Sequence, residues 1–418
     1  MGRFCVKGPG IISLGCRLNI AESEAMRAFL KEDEDIVVVN SCAVTNEAVR
    51  QTRQAIRRAR RERPGARVIV TGCAAETERA ALAAMPEVDG IVANAHKLDA
   101  RAYVLPAAGP GEGGELSRAG AAPDTTGSRP APGSAPGRTR AFIGVQNGCD
   151  HSCTFCIIPQ GRGVSRSLTI AEVLRAVEGH LLAGAREIVL TGVDLTSWGQ
   201  DLSDTPRLGD LIEAVLTEFH QLGRLRLSSV DGVEIDDRLF ELLAGEERVM
   251  PHVHLSLQHG ADLILKRMKR RHSRADAVGL VARLKARRPE IAVGADLIAG
   301  FPTETEAHHA DNLSIVEECD IVHGHVFPFS PREGTPAARM PQLDRATIKA
   351  RAADLRAAVA RRRAAWLARL VGETLPVLVE RDGTGYAPHY ARVKLSERTA
   401  PGEIVPVRVQ AVEEGMLR

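Results

Sequence analysis

No apolar run in these 418 residues approaches the ~18 needed to cross a bilayer as a helix. The opening stretch MGRFCVKGPGIISLG has no long apolar segment followed by a small-residue cleavage site, so a cytoplasmic address with no membrane partner is expected. Net charge is nearly absent too. Lys and Arg number 55 against 53 Asp and Glu, leaving +2, and the overall balance does not announce a nucleic-acid protein. The eight cysteines do not read as a disulfide framework. Six of them stand in ligand-like positions, which fits a reducing compartment, and Cys5 and Cys319 are left over as small core thiols. A chain of this length exceeds what one core usually supports and suggests roughly two to three domains.

A fourth cysteine is missing where it would be expected. Cys149, Cys153 and Cys156 stand in QNGCDHSCTFCIIPQGRG, a Cys-x3-Cys-x2-Cys spacing that brings three thiolates within reach of one cluster. A closed Fe–S cluster takes four cysteine thiolates, and a structural zinc site also fills four positions from the chain. Either a non-protein group caps the open corner, or a fourth ligand comes from elsewhere in the fold. An open corner points to chemistry rather than electron storage. A second set of three, Cys16 in SLGCRLN, Cys42 in VVNSCAVT and Cys73 in VIVTGCAAE, follows strand-like runs and precedes helix-like ones. Loops beyond the carboxyl ends of parallel strands form the crevice of an open α/β sheet, so these thiolates are expected to converge. The paired Cys-x2-Cys knuckles of zinc ribbons are missing here as well.

The first of these two sets resembles the radical S-adenosylmethionine enzymes. Both sets in this order resemble the methylthiotransferases specifically, over nearly the whole chain. The likeness is carried by GCRLN with Glu22 and Glu24 downstream, NSCAVTNEA, TGCAAE, and the segment running on into Ile157, Ile158, Pro159, Arg162 and Gly163. It continues in LTGVDLTSWG, HLSLQHGADLILKRMKRRH, DLIAGFPTETE and FPFSPREGTPAARM. The resemblance implies two 4Fe-4S clusters, one held by Cys149, Cys153 and Cys156 with S-adenosylmethionine on its open iron, the other by Cys16, Cys42 and Cys73. It further implies that Thr191, Gly192 and Asp194 contact the methionyl amine and that Gly300 and Pro302 lie near the adenine. Gln258 is expected to touch cofactor or substrate, because a buried amide needs partners at both ends. An electron donor such as flavodoxin or ferredoxin is implied as a partner.

The fold expected is α/β. A doubly wound N-terminal domain over residues 1–105 has strands at IISLG, DIVVVN, RVIVTG and DGIVAN. A Gly/Pro/Ala-rich linker over 106–138 cannot bury enough apolar surface to order itself. Strand-like runs at AFIGVQ, REIVLTG, RLRLSSV, HVHLSLQ, IAVGADLI and DIVHGHVFPF predict a partial (βα)6 TIM-like barrel over 139–369, with its chemistry at the C-terminal strand ends. A short β-barrel over 370–418 resembles the TRAM domain of the family.

Three basic runs stand out: seven arginines from Arg50 to Arg63, KRMKRRHSR from Lys266 to Arg274, and Arg351 to Arg369 with Arg361, Arg362 and Arg363. Clustered arginines can supply much of the affinity for an RNA backbone, and the alternative is a solvated helix face. Within the family the substrate is threonylcarbamoyladenosine in tRNA, isopentenyladenosine in tRNA, or an aspartate of a ribosomal protein. The Ser-Leu-Gln strand end and HGHVFPFSPREGTPA are most like the threonylcarbamoyladenosine enzymes, which implies that tRNA is the partner and C2 of the adenine base the point of sulfur insertion. The chain departs from the family pattern at His259 and Ala261, where small hydroxyl residues are usual, and at Gln160, where tyrosine is.

Overall fold

The computed structural model describes residues 8–31, 33–103, 139–395 and 399–418. The 106–138 linker and Cys5 lie outside them. By its contacts the chain forms two units, one holding the described residues up to Tyr103 with Asn147–His151 and Cys156–Ser165, the other holding the rest.

The first unit is built on four parallel strands, Gly10–Ser13, Ile36–Ser41, Arg67–Gly72 and Gly90–Ile91. Successive side chains of a strand alternate between faces, and the Val/Ile-rich strands bury both. Ile36, Val38 and Ile69 meet Met26 of the Arg17–Arg27 helix and Leu30 just beyond it on one face. Val37, Val39, Val68 and Val70 meet Val49, Ile56 and Ala59 of the Asn46–Glu62 helix and Leu82 on the other. That longer helix starts at Thr45, whose hydroxyl accepts the Ala48 N–H at 3.1 Å, a cap worth about 1 kcal/mol. Helices cover both faces, as a doubly wound domain requires. The strand order, however, follows the chain without a reversal, so there is no topological switch point of the kind that locates ligands in doubly wound sheets. The order of pairing depends on where each crossover helix lands, which strand periodicity does not encode.

The second unit contains six parallel strands: Arg140–Gly144, Glu187–Thr191, a run from Leu225 to Val230 interrupted at Ser228, His252–Gln258, Ala292–Ala299 and Ile321–Pro328. All six coincide with the expected runs. Their Leu, Val and Ala side chains join the intervening helices in one core, in which Val253, Leu255, Val293, Ala295, Leu297 and Ile321 are buried. The Arg345–Arg369 helix leads to a six-stranded sheet in the order Ile404–Arg408, Thr374–Val379, Thr384–Tyr386, Arg392–Lys394, Met416–Leu417 and Val412–Glu413.

Candidate active site

Cys16, Cys42 and Cys73 each lie just past the carboxyl end of one of three neighbouring strands, as the loop pattern predicts. Two glycines make this possible. Gly15 has φ +90°, and a Cβ there would stand 2.7 Å from Cys42 Cβ and 2.8 Å from its Sγ. Gly72 has φ +89°, and its Cβ would meet Ser41 O at 2.5 Å. Only glycine accepts that backbone region freely. Polar side chains tie the strand ends together. Asn19 Nδ2 donates to Leu14 O at 2.6 Å and Ser41 O at 3.0 Å. Asn40 donates to Asn19 O and Ser23 Oγ, and Ser41 Oγ donates to Thr71 O and accepts from Ala74 N–H.

Cys16 is exposed, whereas Cys42 and Cys73 are buried. Burial, with Cys73 and Cys16 adding to it, pushes the Cys42 thiol up to about 11. Such a thiol becomes a thiolate when a metal replaces its proton. The charges around it suit that exchange. Glu22 is buried between Lys97, at 2.5 Å, and Arg162, at 2.8 Å. Arg162 also donates to Asn19 Oδ1 at 2.5 Å and to Asn147 Oδ1 at 2.7 Å. Burial opposes ionisation of Glu22, but the two cations hold its carboxyl down at about 2. Cys73 and Cys16 both act electrostatically on Arg162, and Cys73 acts on Lys97. Two cations against one carboxylate leave a net positive charge beside three thiols, which fits a thiolate-bound cluster. Glu22 and Arg162 belong to motifs legible in the sequence. Lys97 does not, and no local signal marks it.

Cys149, Cys153 and Cys156 are half-buried and lie in the loop after the Arg140–Gly144 strand, as expected. Cys149 N–H donates to Gly163 O at 3.1 Å. Thr154 fastens the middle of the loop, donating from N to Met268 O at 3.1 Å and from Oγ1 to Arg267 O at 2.8 Å. Arg270 Nη1 approaches Cys153 Sγ at 3.5 Å, while Nη2 holds Asp231 at 2.7 Å and Ser256 O at 2.9 Å. The contact places a cation beside a candidate ligand sulfur. Arg271 pairs with Glu234 at 2.8 Å and Asp231 at 3.3 Å, so two cations of the middle basic run are engaged by acids just past a strand end.

The other expected residues also sit at carboxyl strand ends of the second unit. Thr191 is the last residue of its strand. Val193 and Asp194 donate their backbone N–H groups to Gln146 Oε1 at 3.0 and 2.9 Å, and Asp194 accepts from Ser197 Oγ at 2.8 Å. A Cβ on Gly192 would stand 2.9 Å from that same Gln146 oxygen. Gln258 ends its strand with φ +69°, a strained region for a non-glycine residue. The turn at Gly300 and Pro302 is organised by Glu304, which accepts from Gly300 N–H at 2.8 Å and Phe301 N–H at 3.0 Å. Glu304 is held in turn by Arg351 at 3.1 Å and His259 at 3.3 Å. Burial pushes His259 below its ordinary value, and its Nδ1 accepts the Ala261 N–H at 3.0 Å. The departure at His259 thus supplies a neutral imidazole that links the Gln258 turn to the Gly300–Pro302 turn. Sequence reasoning missed the roles of Gln146 and Glu304: both stand in quoted motifs, but their contacts to backbone N–H groups arise only through folding.

Most of the first basic run and half of the third are paired with acids within their own units. Arg50, Arg53, Arg57, Arg58, Arg60 and Arg63 meet Glu47, Glu78, Glu87, Glu62, Asp89 and Asp35. Arg351, Arg362 and Arg369 meet Glu304, Asp320 and Asp320. Cys319 is fully buried in the core, and burial pushes its thiol up to about 12. No helix among the described residues is long and apolar enough to cross a membrane.

Residues 143–314 match the Radical SAM superfamily, and residues 10–93 match the Uncharacterized protein family UPF0004. The chain is 42% identical over 410 residues to the Threonylcarbamoyladenosine tRNA methylthiotransferase MtaB of Rickettsia prowazekii (strain Madrid E), covering 98% of this chain and 96% of that protein. It is 34% identical to the protein of the same name from Bacillus subtilis (strain 168), covering 78% and 74%. It is 32% identical to the tRNA-2-methylthio-N(6)-dimethylallyladenosine synthase of Erythrobacter litoralis (strain HTCC2594), covering 96% and 94%. Among solved structures, the cobalamin-dependent S-adenosylmethionine radical enzyme OxsB aligns with a TM-score of 0.50 at 10% identity, over 85% of this chain and 56% of that one, a likeness of fold. Fold and site define a radical S-adenosylmethionine enzyme. Within that superfamily the chain belongs to the tRNA methylthiotransferase family.

Proposed function

We propose that this enzyme adds a methylthio group to C2 of N6-threonylcarbamoyladenosine at position 37 of tRNA. The observation that carries the reading is the pair of three-cysteine sets, each at carboxyl strand ends, in a chain 42% identical to a threonylcarbamoyladenosine enzyme over 98% of its length. Cys149, Cys153 and Cys156 would hold the cluster that binds S-adenosylmethionine, and Cys16, Cys42 and Cys73 a second 4Fe-4S cluster. When bound, these groups supply one-electron cleavage of the sulfonium, a sulfur source and a methyl donor. The protein's own part is orientation and charge balance. Arg270 steadies Cys153, and Lys97 and Arg162 offset the auxiliary thiolates. Gln146 shapes the Thr191–Asp194 loop, whose acceptors suit an ammonium group, and Glu304 shapes the Gly300–Pro302 turn that would take the adenine. Gln258 at its strained strand end would face cofactor or substrate.

The domain reading proposed is an auxiliary-cluster domain over 1–105, a linker over 106–138, a partial barrel over 139–369 and a short TRAM-like barrel over 370–418. The setting proposed is the cytoplasm, with a flavodoxin or ferredoxin as electron donor. Mass spectrometry of nucleosides from total tRNA, with and without the gene, tests the function. Loss of the methylthio form of threonylcarbamoyladenosine with accumulation of its parent is expected. Loss of methylthio-isopentenyladenosine instead would reassign the substrate, and an unchanged profile would reject a tRNA target. In purified enzyme, Cys→Ala at Cys16, Cys42 or Cys73 is expected to abolish methylthiolation and preserve 5′-deoxyadenosine formation. Equal loss of both would show that the two cysteine sets do not divide the labour.

A further inference from the structure

His254, Asp296 and His325 form a polar cluster midway along three neighbouring strands of the second unit. Asp296 and His325 are paired in register. Asp296 Oδ1 lies 3.1 Å from His254 Nε2 and 3.2 Å from His325 Nδ1, and the two rings are 4.6 Å apart. The alternate residues Leu255, Ala295 and Leu297 are buried in the core beneath the helices. The cluster therefore occupies the opposite face of the sheet, the inner one. Gly294 is part of the arrangement, because a Cβ there would lie 2.2 Å from His254 Nδ1.

The three residues differ in exposure, with side chains 6%, 21% and 58% accessible for His254, Asp296 and His325. Asp296 stays ionised: burial opposes this, but hydrogen bonds from His254 and His325 hold its carboxyl well below the usual range. Two neighbouring histidines, His323 on the same strand as His325 and His389 of the C-terminal tail, are different. Burial and Arg363 hold His323 far below its ordinary value, and burial holds His389 at about 4, so both are neutral packing groups. Of His254, His323, His325 and His389, His325 alone is exposed. Nδ1 is committed to Asp296, so Nε2 is the nitrogen that faces outward; an imidazole that carries a hydrogen there donates to an anion, and no described residue accepts from it.

Resting on the substrate reading above, we infer that His325, oriented by Asp296 and His254, is the specificity residue that binds the carboxylate of the threonylcarbamoyl group. Of the competing substrates, threonylcarbamoyladenosine carries an anion on its N6 substituent, whereas the isopentenyl group would press hydrocarbon against a polar triad and leave its donor unmet. A site built to bind a polar substituent rejects the analogue lacking it far more strongly than an apolar pocket rejects an added polar group.

The test uses the full-length reconstituted enzyme with anticodon stem-loop RNA carrying threonylcarbamoyladenosine, and the same RNA carrying its neutral methyl ester. Wild type is expected to prefer the acid by about tenfold or more in kcat/KM, mostly through KM. His325→Phe is expected to bring the ratio within about twofold of one, and His325→Lys, which restores a cation beside Asp296, to return the preference. A preference that survives in His325→Phe overturns the inference, as does stoichiometric zinc binding by wild type that His325→Phe abolishes, since the triad would then be a metal site. A wild type inactive on both RNAs refutes the substrate reading instead, so the two failures are distinguishable.

Discussion

Glu22 shows how one side chain carries a charge arrangement that no local pattern reveals. Its carboxyl is held at about 2 against an ordinary 4.5, because Lys97 and Arg162 flank it inside the first unit. A depressed folded-state value means that the stabilisation is fully present above about pH 4.5 and is lost as pH falls toward 2. The shift corresponds to roughly 3 kcal/mol. Hydrogen exchange at the Ile36–Ser41 strand, followed from pH 5 to 2.5, is expected to show the wild-type protein losing protection steeply. In Glu22→Gln that slope is expected to be flattened, with lower protection at pH 7, since removing one member of a buried ion group typically costs about 3–5 kcal/mol. Parallel slopes in the two proteins would mean that Glu22 is not the titrating group. Glu22 and Arg162 could be picked out from the sequence because they accompany cysteine motifs. Lys97 could not, since it comes from a short turn 75 residues away in the chain and closes the group only through folding.

Short loops at strand ends fixed where the six ligand candidates would fall, and this is why the cysteines were legible. A Val/Ile run followed by Gly-Cys or Ser-Cys leaves the thiol at a carboxyl strand end whatever the order of strands. The order itself was not legible, and the sheet follows the chain without a reversal. The arginine runs were readable as runs but not as partners: from Arg50 to Arg63 the charges are largely met by acids distant in sequence, such as Glu78 and Asp89. At the level of the element, Gly15 is the sharpest point of failure. Gly15→Ala combines a left-handed backbone with a Cβ 2.7 Å from that of Cys42, so the Leu14–Cys16 turn must move away from the neighbouring strand end. The reconstituted variant is expected to lose about half its iron while keeping the second cluster, because three thiolates must converge for a cluster to be held. Iron analysis with a parallel 5′-deoxyadenosine assay checks this. Full iron content in Gly15→Ala would show that the turn tolerates the shift.

At the scale of the whole second unit, the C-terminal sheet is fastened to the strands rather than appended to them. Arg224 and Arg226, both buried, donate to tail carbonyls: Arg224 to Tyr386 O at 3.0 Å and Pro376 O at 2.5 Å, Arg226 to Pro388 O at 3.0 Å. Arg140 meets Glu380 at 2.6 Å and lies over the Tyr386 ring at 4.2 Å. Glu187, fully buried, takes a two-point pair from Arg226 at 3.0 and 3.1 Å. Burial brings Arg224 down to about 10, a sign of how far from water the tail places it. Without the tail, three guanidiniums would face one carboxylate with their tail partners gone, and Val377, Ala387 and Val393 would no longer cover Trp366 and Leu367. Losing buried charge partners costs several kcal/mol, and uncovering a core side chain about 1.5–3 kcal/mol. Truncation after Arg369 is therefore expected to lower the melting temperature of the second unit by about 10 °C or more, and Arg224→Ala by a smaller amount in the same direction. Trp198 and Trp366 both lie in this unit, so tryptophan fluorescence reports its melting. A separately folded RNA-binding module would behave differently: truncation would weaken tRNA binding and leave the melting temperature unchanged. The two outcomes separate a tail that completes the catalytic unit from one that merely accompanies it.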